Sequence, residues 1–341
     1  MMQRLRGSVL VLAGVLALVS ATTRVVSVQS EAPLAGAPIT HLGIVVPDLA
    51  RVAAGYADAF GEEVSPIRTI ALDLPNGKKA AVKVVYVPLP NFYLEILEPV
   101  TKAGPIYEHL QKYGRGVHHF GLGVDQNIDA VRTTLEQRGG TWTAGKKGGN
   151  LAYVDFRRSP LGATIEVGPS ARPDMPAAPS KETSLFGGKR LGHFGFCVTD
   201  IDASLKGYID LLGLTRVEPR RWPPEGTLME NPSMGPAFPP GNKYDPDSYV
   251  RTMMMQAKGV DGKTFGFELI QPIGGATPWG DHIKKQKGSS INHIGVGRGA
   301  WDRDDWVRAA QAKGAEWTLG GPPPDKKVYL DFSATLGLTV E

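Results

Sequence analysis

Apolar and polar residues alternate over short stretches along most of the chain, with a period of two that predicts half-buried strands. Four of these stretches begin alike, with an apolar residue, a His two places on, another apolar residue and then Gly. They are Ile39-Thr40-His41-Leu42-Gly43, Val117-His118-His119-Phe120-Gly121, Leu191-Gly192-His193-Phe194-Gly195 and Ile291-Asn292-His293-Ile294-Gly295. Asp and a helical period follow the first three, at Pro47-Asp48-Leu49, Asp125 to Ile128 and Asp200-Ile201-Asp202; Trp301 to Trp306 stands in the fourth place. Asp before a helical period predicts a helix N-cap, because its carboxylate accepts from free backbone N–H groups of the first turn. Four later strands are expected to end in glutamate, at Glu95, Glu166, Glu268 and Glu341. The unit is therefore strand, helix, then strands ending in Glu, and it occurs four times.

The units pair into halves. Pro99 and Pro105 recur as Pro272 and Pro278, an offset of 173, and Tyr153 recurs as Tyr329, an offset of 176. His109 likewise matches His282. A near-constant offset over so many positions predicts duplication of a two-module domain, over 38–169 and 190–341. Residues 170–189 are rich in Pro, Ala, Ser, Gly and charge, lack periodicity, and are expected to form the linker. His193 and Glu268 stand 75 residues apart against 54 for His41 and Glu95. The excess predicts a long loop at 219–247, a lid, a binding loop or a surface excursion.

The N-terminus has a different pattern. Arg4 and Arg6 precede an apolar run, Val9 to Val19, and small residues follow at Ser20-Ala21. This is the pattern of a signal peptide over 1–21, and the run is short of the about 20 residues that span a bilayer. Residues 22–37 read as a flexible leader. The mature chain is expected to be exported, periplasmic or secreted, with no stable membrane span after cleavage. Cleavage would lower the formal charge from +4 to +2. With no dense basic run beyond the N-terminus, nucleic acid is not an expected partner.

Composition narrows the chemistry. Hydrophobic residues at 42% and charged residues at 21% are ordinary for a globular protein. A single cysteine, Cys197, excludes an intrachain disulfide and a multi-cysteine metal site. A metal must therefore be held by His and carboxylate. If paired modules share one curved sheet, His41, Glu95, His119 and Glu166 face one trough, and His193, Glu268, His293 and Glu341 face another. Each set offers two imidazoles and two carboxylates to a divalent cation, with positions left for water or substrate. A lone strand His is more often a core residue; four at one repeat position argue for ligands.

On these motifs the chain resembles the vicinal oxygen chelate superfamily (glyoxalase I, methylmalonyl-CoA epimerase, extradiol dioxygenases, and bleomycin and fosfomycin resistance proteins) over about residues 38–341. Leu94-Glu95-Ile96-Leu97-Glu98-Pro99, Gly104-Pro105-Ile106, His109-Leu110 and Gly116-Val117-His118-His119 make the first half most similar to the epimerases. The resemblance implies an α+β fold of four βαβββ modules, paired into two cupped-sheet domains. It also implies the same eight metal ligands. The metal would be Ni, Co, Zn, Mn, Mg or Fe, and the substrate a small molecule with vicinal oxygens. The implied reaction is proton transfer through an enolate (isomerase, epimerase or lyase), with Glu166 or Glu95 as base, and Glu341 or Glu268 in the second half. His118, Tyr153 and Tyr329 are candidate substrate contacts, and His109 is a further candidate near the first set. Two alternatives stay open: a binding or resistance protein that sequesters a ligand without turnover, and an Fe(II) extradiol-type dioxygenase. The latter fits less well, because Tyr329-Leu330-Asp331-Phe332-Ser333 lacks the Pro of that group. Four modules in one chain lessen the need for a dimer, and the sequence leaves the oligomeric state open.

Overall fold

The computed structural model describes residues 32–341 except 62, 126, 171, 173–174, 179–183, 218–228, 231–242, 245–247, 298–301 and 321–327. The expected signal peptide, most of the leader and most of the 219–247 loop lie outside these residues. Among the described residues no helix is long and apolar enough to cross a membrane.

The first half runs β1 (Ile39–Val45), α1 (Leu49–Phe60), β2 (Arg68–Asp73), β3 (Lys79–Leu89) and β4 (Phe92–Pro99). It continues with α2 (Gly104–Tyr113), β5 (Gly116–Gly123), α3 (Ile128–Gln137), β6 (Thr141–Ala144), β7 (Ala152–Asp155) and β8 (Thr164–Gly168). The second half repeats this as β9 (Leu191–Cys197), α4 (Ile201–Leu212), β10 (Thr215–Arg216), β11 (Met229–Glu230), β12 (Tyr249–Lys258) and β13 (Thr264–Gly274). Then come α5 (Pro278–Gln286), β14 (Ser290–Val296), α6 (Arg303–Ala312), β15 (Glu316–Gly320), β16 (Val328–Asp331) and β17 (Thr339–Val340).

Each half folds into one curled sheet. The orders are β2-β3-β4-β1-β5-β8-β7-β6 and β10-β12-β13-β9-β14-β17-β16-β15, with β11 added beside β12. In each module the first strand lies parallel to the last, and the first strands of paired modules meet antiparallel at the sheet centre. The fold is α+β, built from four βαβββ modules.

Two local expectations need correction. Asp48 and Asp200 do cap α1 and α4, but α3 is capped by Asn127, which accepts from Ala130 N–H; Asp125 instead accepts from the Ser170 backbone N–H at 3.2 Å. The helix starts two residues later than the Asp predicts, so the cap passes to the nearer Asx side chain. The glutamates do not end their strands either. Glu95, Glu166 and Glu268 lie inside β4, β8 and β13, because ladder pairing continues past them. Glu341 follows β17, yet its N–H donates to Ile294 O and its C=O accepts from Val296 N–H, both at 2.8 Å, so its backbone is held.

The alternation sorts each strand into two faces. Leu42, Ile44, Phe92, Leu94, Ile96 and Phe120 turn to the back of the first sheet. They join Phe194, Phe196 and Phe267 of the second sheet in one hydrophobic core. The opposite face of the first sheet has its own smaller apolar cluster around Val45, Leu97 and Tyr153, and it is this face that carries His41 and its partners.

Candidate metal centres

Register brings the ligands together. On β1 and β5, His41 lies opposite Gly121 and His119 opposite Gly43, while Glu95 pairs beside Gly43 and Glu166 beside Gly121. The glycine two places after each His now has a reason. A Cβ on Gly43 would stand 1.8 Å from the His119 ring, and one on Gly121 would stand 1.9 Å from His41. Gly195 and Gly295 leave the same room for His293 and His193, at 2.0 Å each. Only a residue without a side chain lets the imidazole of the facing strand lie over it.

The residue before each His is an extra one in its strand. Thr40, His118, Gly192 and Asn292 are skipped in the pairing of the central strands, forming β-bulges. A bulge re-aims side chains, so adjacent residues can face the same region. Three of the four bulged residues hold the back of the imidazole beside them. The Nδ1 atom of His41 lies 2.7 Å from Thr40 Oγ1, that of His119 lies 3.0 Å from His118 Nδ1, and that of His293 lies 3.0 Å from Asn292 Oδ1. Each leaves Nε2 to point inward. Such partners fix the ring and its tautomer. The repeat does not single out Thr40 and Asn292; their one mark in the sequence is a polar side chain directly before the repeated His.

In the first centre, His119 Nε2 lies 3.2 Å from Oε2 of both Glu95 and Glu166. His41 Nε2 lies 3.2 Å from His119 Nε2, 3.7 Å from Glu95 Oε2 and 3.4 Å from Glu166 Oε2. In the second, His193 Nε2 lies 3.2 Å from His293 Nε2, 3.6 Å from Glu268 Oε2 and 3.0 Å from Glu341 Oε2. His293 Nε2 completes the set at 3.4 and 3.3 Å from the two carboxylates. In each set the four atoms lie within 4.8 Å of one another. Ligands about 2.1 Å from a divalent ion stand about 3.0–3.4 Å apart, so the spacing fits. The Oε2 atoms of Glu95, Glu166 and Glu268 are buried without a hydrogen-bond partner, as oxygens aimed at a cation would be.

Electrostatics follow from packing two carboxylates against two imidazoles. Burial alone would raise the Glu95 pKa, but His119, His41 and Arg172 hold it down at about 2. Burial lowers His41 and His119, against the pull of Glu95. In the second centre Glu268 and Glu341 overcome burial and raise His293 to about 9, and Glu341 is held well below the usual carboxylate range by His193 and His293.

The candidate substrate contacts sit behind the ligands. His118 is buried, with its ring 5.2 Å from the rings of both His109 and His119. Tyr153 meets His119 edge-on at 5.0 Å, and Tyr329 meets His293 at 5.1 Å. His109 lies on α2 but faces inward. A residue the repeats do not contain completes the first centre: Arg172, from the segment after β8, donates through Nη2 to Glu166 Oε1 and through Nε to the Tyr93 hydroxyl at 2.9 Å. No sequence signal singles it out, since it has no partner in the duplication.

Comparison with known proteins agrees with this architecture. The model of the glyoxalase/bleomycin resistance protein/dioxygenase superfamily matches residues 40–156. An ethylmalonyl-CoA/methylmalonyl-CoA epimerase from Cereibacter sphaeroides is 34% identical over 102 residues, covering 30% of this chain and 70% of that protein. The chain belongs to the glyoxalase/bleomycin resistance/dioxygenase superfamily. Human mitochondrial methylmalonyl-CoA epimerase is 38% identical over 101 residues, 29% of this chain; the chain spans about half of that relative, 53% of its length. These superfamily relatives are enzymes, and both match over a length that fits one half of this chain. Among solved structures, a mutant of 4-hydroxymandelate synthase from Streptomyces coelicolor superposes with a TM-score of 0.51 at 13% identity. It covers 82% of this chain and 76% of that one, a likeness of fold.

Proposed function

We propose that this chain is an exported, divalent-metal-dependent superfamily enzyme that moves a proton on a carbon next to two vicinal oxygens of a small substrate, as an isomerase, epimerase or lyase. The observation that carries this reading is the convergence of two His and two Glu in each half, with the Oε2 atoms of Glu95, Glu166 and Glu268 buried at the point of convergence. His41, Glu95, His119 and Glu166 would hold one ion, and His193, Glu268, His293 and Glu341 a second. A divalent ion held there supplies Lewis-acid chemistry, favouring negative charge on a chelated substrate oxygen.

The residues supply the rest. Thr40, His118 and Asn292 keep three imidazoles aimed inward. Glu95 is ionised at neutral pH, and its carboxylate faces the centre 3.2 Å from His119 Nε2, so it is a candidate proton acceptor within the site. Glu166 shares its other oxygen with Arg172, which makes Glu95 the freer base of the pair; Glu341 and Glu268 are the corresponding candidates in the second half. Tyr153 and Tyr329, edge-on to His119 and His293, are proposed to shape the wall of the substrate site, and His118 to act through His119 as a brace. The epimerase relatives act, by name, on CoA esters. The export signal read at residues 1–21 argues against that substrate here, so the reaction class is proposed without the CoA ester. A four-donor cluster exceeds the two-His, one-carboxylate set of Fe(II) oxygenases by one carboxylate, which favours proton transfer over oxygen chemistry.

The test is metal analysis after purification without chelators, joined to a solvent-deuterium exchange screen over 2-hydroxy, 2-oxo and catecholic compounds. Stoichiometric divalent metal, lost by one equivalent in His119→Ala and by another in His293→Ala, together with carbon-bound deuterium, supports the reading. Absence of metal would leave a sequestering protein, and catechol cleavage after Fe(II) loading would replace proton transfer with dioxygenation.

A further inference from the structure

Arg172 is the one strongly basic side chain whose described contacts are all with the first centre. Its side chain is 10% exposed, it bonds Glu166 and Tyr93, and the charge of Glu95 acts on it. Burying a guanidinium is costly unless it is paired. Here two of its nitrogens are paired, Nε with the Tyr93 hydroxyl and Nη2 with Glu166 Oε1. Nη1 has no acceptor among the described residues. The other oxygen of Glu166 faces His41 and His119. The guanidinium therefore stands one carboxylate group away from the centre, with a fork of N–H donors partly spent.

Charge counting gives this position a purpose. Two glutamates balance a divalent ion, and an imidazole that ligates a metal is neutral. Arg172 then leaves the loaded first centre with one surplus positive charge. A neutral diol or hydroxyketone would leave that charge buried and uncompensated. A monoanion whose charge adjoins its chelating oxygens would neutralise it, and a planar guanidinium suits a carboxylate in particular.

We infer that Arg172 determines the substrate class of the first centre, which takes 2-hydroxy or 2-oxo carboxylates with the substrate carboxylate accepting from Arg172. The inference rests on the proposed metal site. The rival role for Arg172 is to orient Glu166 and nothing more.

Calorimetric titration separates the two, using the full metal-loaded chain with His293→Ala to silence the second centre. Two probes, glycolate and hydroxyacetone, share a hydroxyl next to a second oxygen and differ in carrying a carboxylate or a neutral ketone. Arg172→Met should weaken glycolate at least tenfold, change hydroxyacetone less than twofold, and leave first-centre metal stoichiometry intact. Arg172→Lys should recover part of the glycolate loss. Equal weakening of both probes, an unchanged glycolate affinity, or loss of metal in Arg172→Met would each overturn the assignment and leave an orienting role. If the protein with Arg172 intact binds no metal in the first place, the metal site itself fails and Arg172 with it.

Discussion

Gly43, Gly121, Gly195 and Gly295 each lie beneath an imidazole of the facing strand, closer than any Cβ could approach. Gly43→Ala should therefore displace His119 and abolish metal binding at the first centre while leaving the second loaded; metal counting on the variant checks this. The buried histidines of the central helices act on stability instead. His109 is pushed down from its ordinary value of 6.5 to about 3, first by burial and then by Arg157, and His282 falls to about 3 through burial and Lys285. Between those values the unfolded chain binds protons that the folded chain refuses, so stability falls as pH drops from about 6.5 toward 3. His109→Leu should flatten part of that decline in denaturant unfolding followed across this range. A decline as steep as in the unsubstituted chain would show that His109 does not carry it.

At the scale of elements, α1 and α4 are built to one plan. Asp48 and Asp200 cap them, and Gly61 and Gly213 end them in the left-handed region at φ 64° and 62°. Asp200 accepts from both Asp202 and Ala203 N–H. Asp200→Ala should cost about 1 kcal/mol in chemical denaturation. The repeat made the two Asp caps legible, because Asp48 and Asp200 each follow the repeated His by seven residues. It misled at α3, where Asn127 stands closer to the first turn than Asp125. It was silent on the bulges. A bulge is a relation between two strands, and no single strand records which of its residues its partner will skip.

At the scale of the molecule, the two sheets share one core. Phe194 packs near Phe92 and Phe120 of the first half as well as Phe196 and Phe267 of its own. Tyr56 OH donates to Leu336 O at 2.9 Å and Tyr208 OH to Leu161 O at 2.6 Å, a reciprocal pair between the halves. Asn91 both donates to and accepts from the Leu191 backbone, at 3.0 and 2.9 Å. Phe194→Ala should cost about 3–5 kcal/mol and should shift one unfolding transition. Two separated transitions in calorimetry would show that the halves unfold independently.

The sequence by itself determined the modules, their number, and the two sets of four ligand types. Period-two alternation and a repeated His-x-Gly are local records, and duplication prints them four times. Tertiary structure alone decided what those residues face. Antiparallel pairing at the sheet centre sets each His over the other strand's Gly, bulges turn Thr40, His118 and Asn292 into braces, and Arg172 folds back onto Glu166. The facing histidines stand 78 or 100 positions apart in the chain. These relations depend on register and packing, which exist only once the strands have met.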